Sequence, residues 1–157
     1  MPQPYTTISI EKRGQVDWLT LNRPEAMNSI SLEMVDDLND YFGKLYHDQS
    51  VRIVVMRGAG RAFCAGLDIR QRDNADDRKT PFGGGFGFQG YLADVYIKMR
   101  RCPQPIISLI HGPACGGGFA FALASDIRIA GESAKMNAAF IKLGLSPCDM
   151  GVSYLLP

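Results

Sequence analysis

The chain has 157 residues, 46% of them apolar, with 17 Lys or Arg against 16 Asp or Glu and a formal net charge of +1. That length suits one domain with a real hydrophobic core, and the charge balance gives neither a basic footprint for nucleic acid nor an acidic disordered tail. No stretch approaches the roughly 18–20 uninterrupted apolar residues of a membrane span, and Met1-Pro2-Gln3-Pro4-Tyr5 lacks the basic start and apolar run of a secretory signal.

In chain order, Thr7–Glu11 and Val16–Asn22 alternate apolar and polar residues across Lys12-Arg13-Gly14-Gln15, which predicts a β-hairpin. Asn22-Arg23-Pro24-Glu25 ends the second strand, because proline cannot join a central ladder. Ser31 is placed to cap a helix with Glu33 in its first turn, and Val35, Leu38, Phe42 and Leu45 fall on one helical face. Val51–Arg57 reads as a short buried strand. Arg70–Gly90 reads as one long mobile loop, a charge run followed by glycines interleaved with Phe82, Phe86 and Phe88; such a loop inside a compact domain serves a site or packs on itself. Tyr91–Arg101 reads as a helix presenting Leu92, Val95 and Met99. A strand at Ile106–Ile110, a short helix at Phe119–Ala124, a strand at Asp126–Ala130 and a helix start near Met150 complete the series. Periodicity alone gives a mixed α/β domain.

Two turns carry the chemistry. Gly60-Arg61-Ala62-Phe63-Cys64-Ala65-Gly66-Leu67-Asp68 follows the Val51–Arg57 strand, and Gly112-Pro113-Ala114-Cys115-Gly116-Gly117-Gly118 follows Ile106–Ile110. Small residues let a ligand oxygen approach the main chain, and two such turns side by side can aim two N–H groups at one developing oxyanion, as in an enolate. The second turn also opens a helix, whose free N–H groups favour negative charge. Gly112-x-x-x-Gly116-x-Gly118 matches the glycine spacing of short-chain dehydrogenases too, but a dinucleotide site needs it after the first strand, not two-thirds along the chain. Cys64, Cys102, Cys115 and Cys148 form no C-x-x-C pair and read as reduced thiols of a cytoplasmic protein. His47, at a helix end, and His111, at a strand end, read as structural, and Asp68 as a loop-shaping acceptor.

Four segments together resemble the enoyl-CoA hydratase/isomerase family, the crotonase superfamily. They are Leu21-Asn22-Arg23-Pro24-Glu25-Ala26-Met27-Asn28, Phe63–Asp68, His111–Gly118, and Gly144-Leu145 through Leu155-Leu156-Pro157. The resemblance implies a superhelix of β-β-α units, with residues 1–157 forming the N-terminal portion of a single acyl-CoA-binding domain and the C-terminal helical part missing. It implies Ala65 and Gly117 as the two oxyanion-hole donors, Ala65, Gly66, Leu67, Asp68 and Gly117 as substrate-binding residues, and an acyl-CoA substrate. No metal or redox cofactor is implied, since coenzyme A enters with the substrate; nor is a membrane or nucleic-acid partner. The full-length form is expected to be a homotrimer or hexamer. The loop phenylalanines become candidates to cover an acyl chain. The family's two hydratase glutamates fall at Ala120 and Phe140, which cannot transfer protons. Asp149 resembles, one residue displaced, the aspartate of the dienoyl-CoA isomerase branch, with helix capping as its alternative role. The resemblance therefore favours isomerase-type proton transfer by Asp149, the alternative being an acyl-CoA-binding homologue without turnover.

Overall fold

The computed structural model describes residues 5–70, 84–140, 144, 146 and 149–156. Strands β1 (Ile8–Arg13) and β2 (Val16–Leu21) form the expected antiparallel hairpin, with Ile8 opposite Leu21 and Arg13 opposite Val16. Gly14 turns it at φ +62°, a left-handed conformation that glycine adopts without a Cβ clash. In β2 the side chains of Asp17, Leu19 and Leu21 are buried while Val16, Trp18 and Thr20 are only half-buried, the period-2 signature of a sheet with one core face. On the outer face the guanidinium groups of Arg13 and Arg57 sit 4.6 and 5.2 Å from the Trp18 ring centre, covering part of it.

Helix α1 (Leu32–Leu45) carries the chain back to β3 (Ile53–Gly58), which lies parallel to β2. Ser31 caps α1 as its residue type predicts, its hydroxyl accepting the Met34 N–H at 3.2 Å. The stripe Val35, Leu38, Phe42 and Leu45 is buried. Helix α2 (Gly84–Arg101) then leads to β4 (Ile106–Ile110), parallel to β3. After β5 (Pro113–Cys115) and α3 (Gly117–Ala124), β6 (Ile127–Ala130) pairs with β4 and gives a five-stranded sheet of order β1-β2-β3-β4-β6. β5 pairs in parallel with β7 (Lys135–Asn137) as a separate two-stranded ribbon, and α4 (Val152–Leu155) ends the described chain. The repeating crossover through a helix is what parallel neighbours require. Ile127, Ile129 and Met136, on the last two strands, are exposed.

The structure corrects the reading of Arg70–Gly90 as one loop. Residues 71–83 lie outside the described residues, but 84–90 are helical and α2 begins about two turns before Tyr91. Phe88 packs on the core four residues before Leu92, so Phe88, Leu92, Val95 and Met99 form one stripe. Its burial outweighs the poor helix propensity of Gly87 and Gly90. Phe88 thus serves the core, while Phe82 and the Phe86 side chain lie outside the described residues. β5 and β7 have three residues each, too few to give a periodic signal.

Candidate active site

Strands β3 and β4 run side by side and parallel, with Arg57 paired to Leu109, so the turns that follow them leave the same edge of the sheet. Main-chain bonds then stitch the turns together. The Cys64 N–H donates to Pro113 O at 3.1 Å, the Cys115 N–H donates to Cys64 O at 3.0 Å, and Cys64 and Ala114 form a parallel bridge. This closeness is why glycine is needed. A Cβ on Gly118 would lie 2.2 Å from Cys64 O, one on Gly112 2.3 Å from Arg61 O, and one on Gly66 2.7 Å from Cys115 O. His111 adds a tie at the rim, its Nε2 lying 2.8 Å from Gly60 O.

A polar scaffold holds the first turn from beneath. The fully buried Asn28, at φ +54°, accepts the Arg23 N–H on Oδ1 and donates through Nδ2 to the carbonyls of Ala59 (2.8 Å), Ala62 (2.9 Å) and Phe63 (3.3 Å). Arg23 donates to Ser29 O at 2.6 Å and pairs with Asp68 Oδ2 at 3.0 Å. Asp68 also accepts the Arg70 N–H at 3.3 Å. Asp68 is therefore a loop-shaping acceptor. Phe63 and Cys64 are fully buried, and burial pushes the Cys64 thiol up to about 12, which keeps it neutral.

The amides of the turns separate into committed and free ones. The Ala65 N–H donates to Met27 O at 3.0 Å, so the donor expected at Ala65 is already used inside the scaffold. Two residues on, the Leu67 N–H has no partner among the described residues, and neither has that of Gly117 at the start of α3. Their directions follow from peptide planarity, since N–H and C=O point opposite ways across a trans bond. Gly66 O accepts from Ile30 N–H at 2.8 Å, so the Leu67 N–H points away from Ile30's main chain. Gly116 O accepts from Ala120 N–H at 3.0 Å, so the Gly117 N–H points out of the helix start. The two free amides neighbour each other, because Gly116 Cα lies 3.7 Å from where a Gly66 Cβ would be.

The surroundings of these amides are apolar. A Cβ on Gly117 would meet Ile30 Cδ1 at 2.7 Å and Tyr96 Oη at 3.0 Å, and one on Gly116 would lie 3.8 Å from Phe140 Cε1. Ala120 and Phe140 are both buried. Met150 (φ +53°) and Gly151 (φ +73°) both take left-handed conformations, and Gly151, with no side-chain cap bond, is the N-cap of α4. Asp149 therefore does not occupy the N-cap position of that helix; its side chain lies outside the described residues. Among the described residues no group of three or more His, Cys, Asp or Glu is placed to hold a metal ion, and no helix is long and apolar enough to cross a membrane.

A family model described as enoyl-CoA hydratase/isomerase matches residues 11–157. The chain belongs to the enoyl-CoA hydratase/isomerase family. It is 40% identical over 139 residues to a 1,2-epoxyphenylacetyl-CoA isomerase of Escherichia coli (strain K12), covering 88% of this chain and 52% of that protein. Its fold is similar to that of an enoyl-CoA hydratase from Bacillus anthracis, with a TM-score of 0.86, 30% identity, and coverage of 97% of this chain and 57% of the other. It is also similar to a monofunctional enoyl-CoA isomerase from M. smegmatis, with a TM-score of 0.75, 37% identity, and coverage of 96% and 61%. The chain spans about half the length of the curated relatives it matches. The β-β-α architecture expected of this crotonase fold is present.

Within this family frame the sequence misses two things that the structure supplies. One is Asn28 as the keystone under the first turn; it ends the first of the four segments that carry the resemblance, but nothing in that segment assigns it this role. The other is that the free amide is Leu67 and not Ala65, because Met27, turned left-handed (φ +52°), offers its carbonyl to the Ala65 N–H while the bonds of Gly66 and Asp68 to Ile30 leave the Leu67 N–H between them unengaged.

Proposed function

We propose that this chain forms the thioester-binding part of an enzyme that acts on acyl-CoA through an enolate. The carbonyl oxygen of the thioester sits between the N–H groups of Leu67 and Gly117, with Gly66 and Asp68 shaping the turn that coenzyme A lies along. The observation that carries this reading is the pair of unpartnered amides on two turns fastened together by main-chain bonds. Preorganised donors aimed at developing charge are the largest single source of rate in such chemistry. The reaction is proton transfer of the isomerase type rather than hydration. Hydration needs groups that position and activate water, and the resemblance puts Ala120 and Phe140, both buried, at the positions of the family's glutamates. Asp149 is the acid/base in this reading. Neither a metal nor a redox cofactor enters the reaction, since the thioester itself acidifies the α-carbon. The full-length protein is cytoplasmic and assembles as a trimer or hexamer.

The same apolar surroundings favour a second reading, an acyl-CoA-binding homologue without turnover. Incubating the protein with 2-enoyl, 3-enoyl and 3,5-dienoyl thioesters separates the two. We expect double-bond migration without hydration, and a loss of about 10²–10⁴-fold in rate for Asp149→Asn. Tight binding with no turnover of any of the three establishes the second reading, and full activity of Asp149→Asn removes Asp149 from the mechanism.

A further inference from the structure

One hydroxyl reaches the second turn from outside it. Tyr96 lies on α2, is 95% buried, and donates from Oη to Gly117 O at 3.0 Å. Its ring packs against Phe121 of α3, with centroids 4.9 Å apart and planes inclined by 32°. The same Oη would be 3.0 Å from a Cβ on Gly117, so the phenol also fills the space a side chain there would need. Gly117 has no side chain to hold it, and glycine has the widest backbone freedom of any residue. Its preceding peptide is tied at Gly116 O by Ala120, and Gly116 N–H is tied to Asn137 O at 2.9 Å. Beyond the helix's own ladder, the Tyr96 bond is the added restraint on the peptide that follows it.

We infer that Tyr96 is a positioning residue for the oxyanion-binding amide of Gly117. The inference rests on the reading of Gly117 as a carbonyl-binding donor. The phenol holds the peptide on the far side of the Gly117 Cα and so, together with the Gly116 O–Ala120 bond on the near side, limits how far the N–H can swing before substrate arrives. An amide already aimed needs no reorganisation when charge develops, which is where its contribution arises. Ile30 Cδ1 lies 2.7 Å from the same Cβ position, so a methyl group and the hydroxyl together fill the space where a side chain on residue 117 would stand. The geometry also explains why a tyrosine rather than a phenylalanine stands in an otherwise apolar contact between α2 and α3: a buried hydroxyl there needs an acceptor and finds one at this carbonyl.

The test reads the carbonyl directly. Butyryl-CoA, saturated and unreactive in double-bond migration, is bound to the wild type and to Tyr96→Phe, and the infrared band of its thioester carbonyl is recorded with its Kd. In the wild type the band moves to lower wavenumber than in free butyryl-CoA. In Tyr96→Phe, which keeps the ring against Phe121, about half or more of that displacement is lost and the band broadens, while Kd changes by about threefold or less. A displacement unchanged in Tyr96→Phe overturns the inference and leaves the amide reading standing. A wild-type band that does not move at all sinks that reading and the inference with it. If Tyr96→Phe does not fold, 3-fluorotyrosine at position 96 serves instead. It keeps the ring and makes the hydroxyl a stronger hydrogen-bond donor to Gly117 O, so the displacement grows. A displacement insensitive to fluorination refutes the role.

Discussion

The two turns at the edge of the sheet meet the same demand by opposite means. The Phe63–Asp68 turn is held by polar side chains: Asn28 binds three of its neighbouring carbonyls, and the Arg23–Asp68 pair closes its far side. The Gly112–Gly118 turn has far fewer such supports. It is held by closeness, with glycines at 112 and 118 where any Cβ would strike the other turn's backbone, and with Ile30, Tyr96 and Phe140 packed around Gly116 and Gly117. A turn fastened by hydrogen bonds tolerates a change in shape but not in polarity. A turn fastened by contact behaves the other way round. That difference predicts which substitutions each will accept.

The largest effect is expected at Gly118→Ala. Its methyl group would sit 2.2 Å from Cys64 O and 2.7 Å from Cys64 Cβ, and the first of these is main chain, unable to rotate aside. The turns must part, breaking the Cys64–Pro113 and Cys115–Cys64 bonds. A destabilisation of about 4 kcal/mol or more is expected, read as a fall in urea midpoint with little change in m. A loss under about 1 kcal/mol would mean that contact does not hold this turn. Next comes Asn28→Ala, which leaves the carbonyls of Ala59, Ala62 and Phe63 and the Arg23 N–H without their partner and puts alanine at a left-handed φ. About 3 kcal/mol is expected. Unlike Gly118→Ala, it should spare the contacts between the turns, so acyl-CoA binding measured by titration persists where the variant is folded.

The longer strands and helices were legible in the sequence because they carry several periods of their own pattern, as Val35, Leu38, Phe42 and Leu45 do along α1, whereas three-residue β5 and β7 carry none. The start of α2 was hidden by its glycines, since the burial of Phe88 that decides it is a tertiary fact. The existence of two chemically apt turns was legible too, but their fastening was not. The Cys64–Ala114 bridge joins residues fifty apart, and the diversion of the Ala65 amide to Met27 is set by backbone angles that no residue spacing encodes. A turn motif shows that an amide is available to a ligand, whereas the hydrogen bonds of its neighbours decide which amide that is.

A buried carboxylate at the other end of the sheet serves as the control for this comparison. Asp17 pairs with Val54, four residues and roughly 13 Å along the strands from Gly58, where the first turn begins. It is 3% exposed; Oδ2 accepts the Tyr41 hydroxyl at 3.1 Å, and Oδ1 has no partner among the described residues. Burial raises its pKa above the usual carboxylate value, opposed by the Tyr41 hydrogen bond and the nearby Lys12 charge and slightly reinforced by Asp48. The sign follows from the raised value. The folded state holds the proton more tightly than the unfolded one, so this contribution is fully present below the unfolded pKa and is lost as pH rises through the folded pKa. Stability from this residue therefore falls with rising pH between the ordinary carboxylate value and the raised one, then levels off. Asp17→Asn removes that slope, and its urea midpoint should gain on the wild type's as pH rises from the ordinary carboxylate value to the raised one. Because the residue lies at the far end of the strands, acyl-CoA affinity should not follow the change. An Asp17→Asn variant that alters affinity by tenfold would show that the two ends are coupled, and that the turns depend on more than the two local devices that hold them.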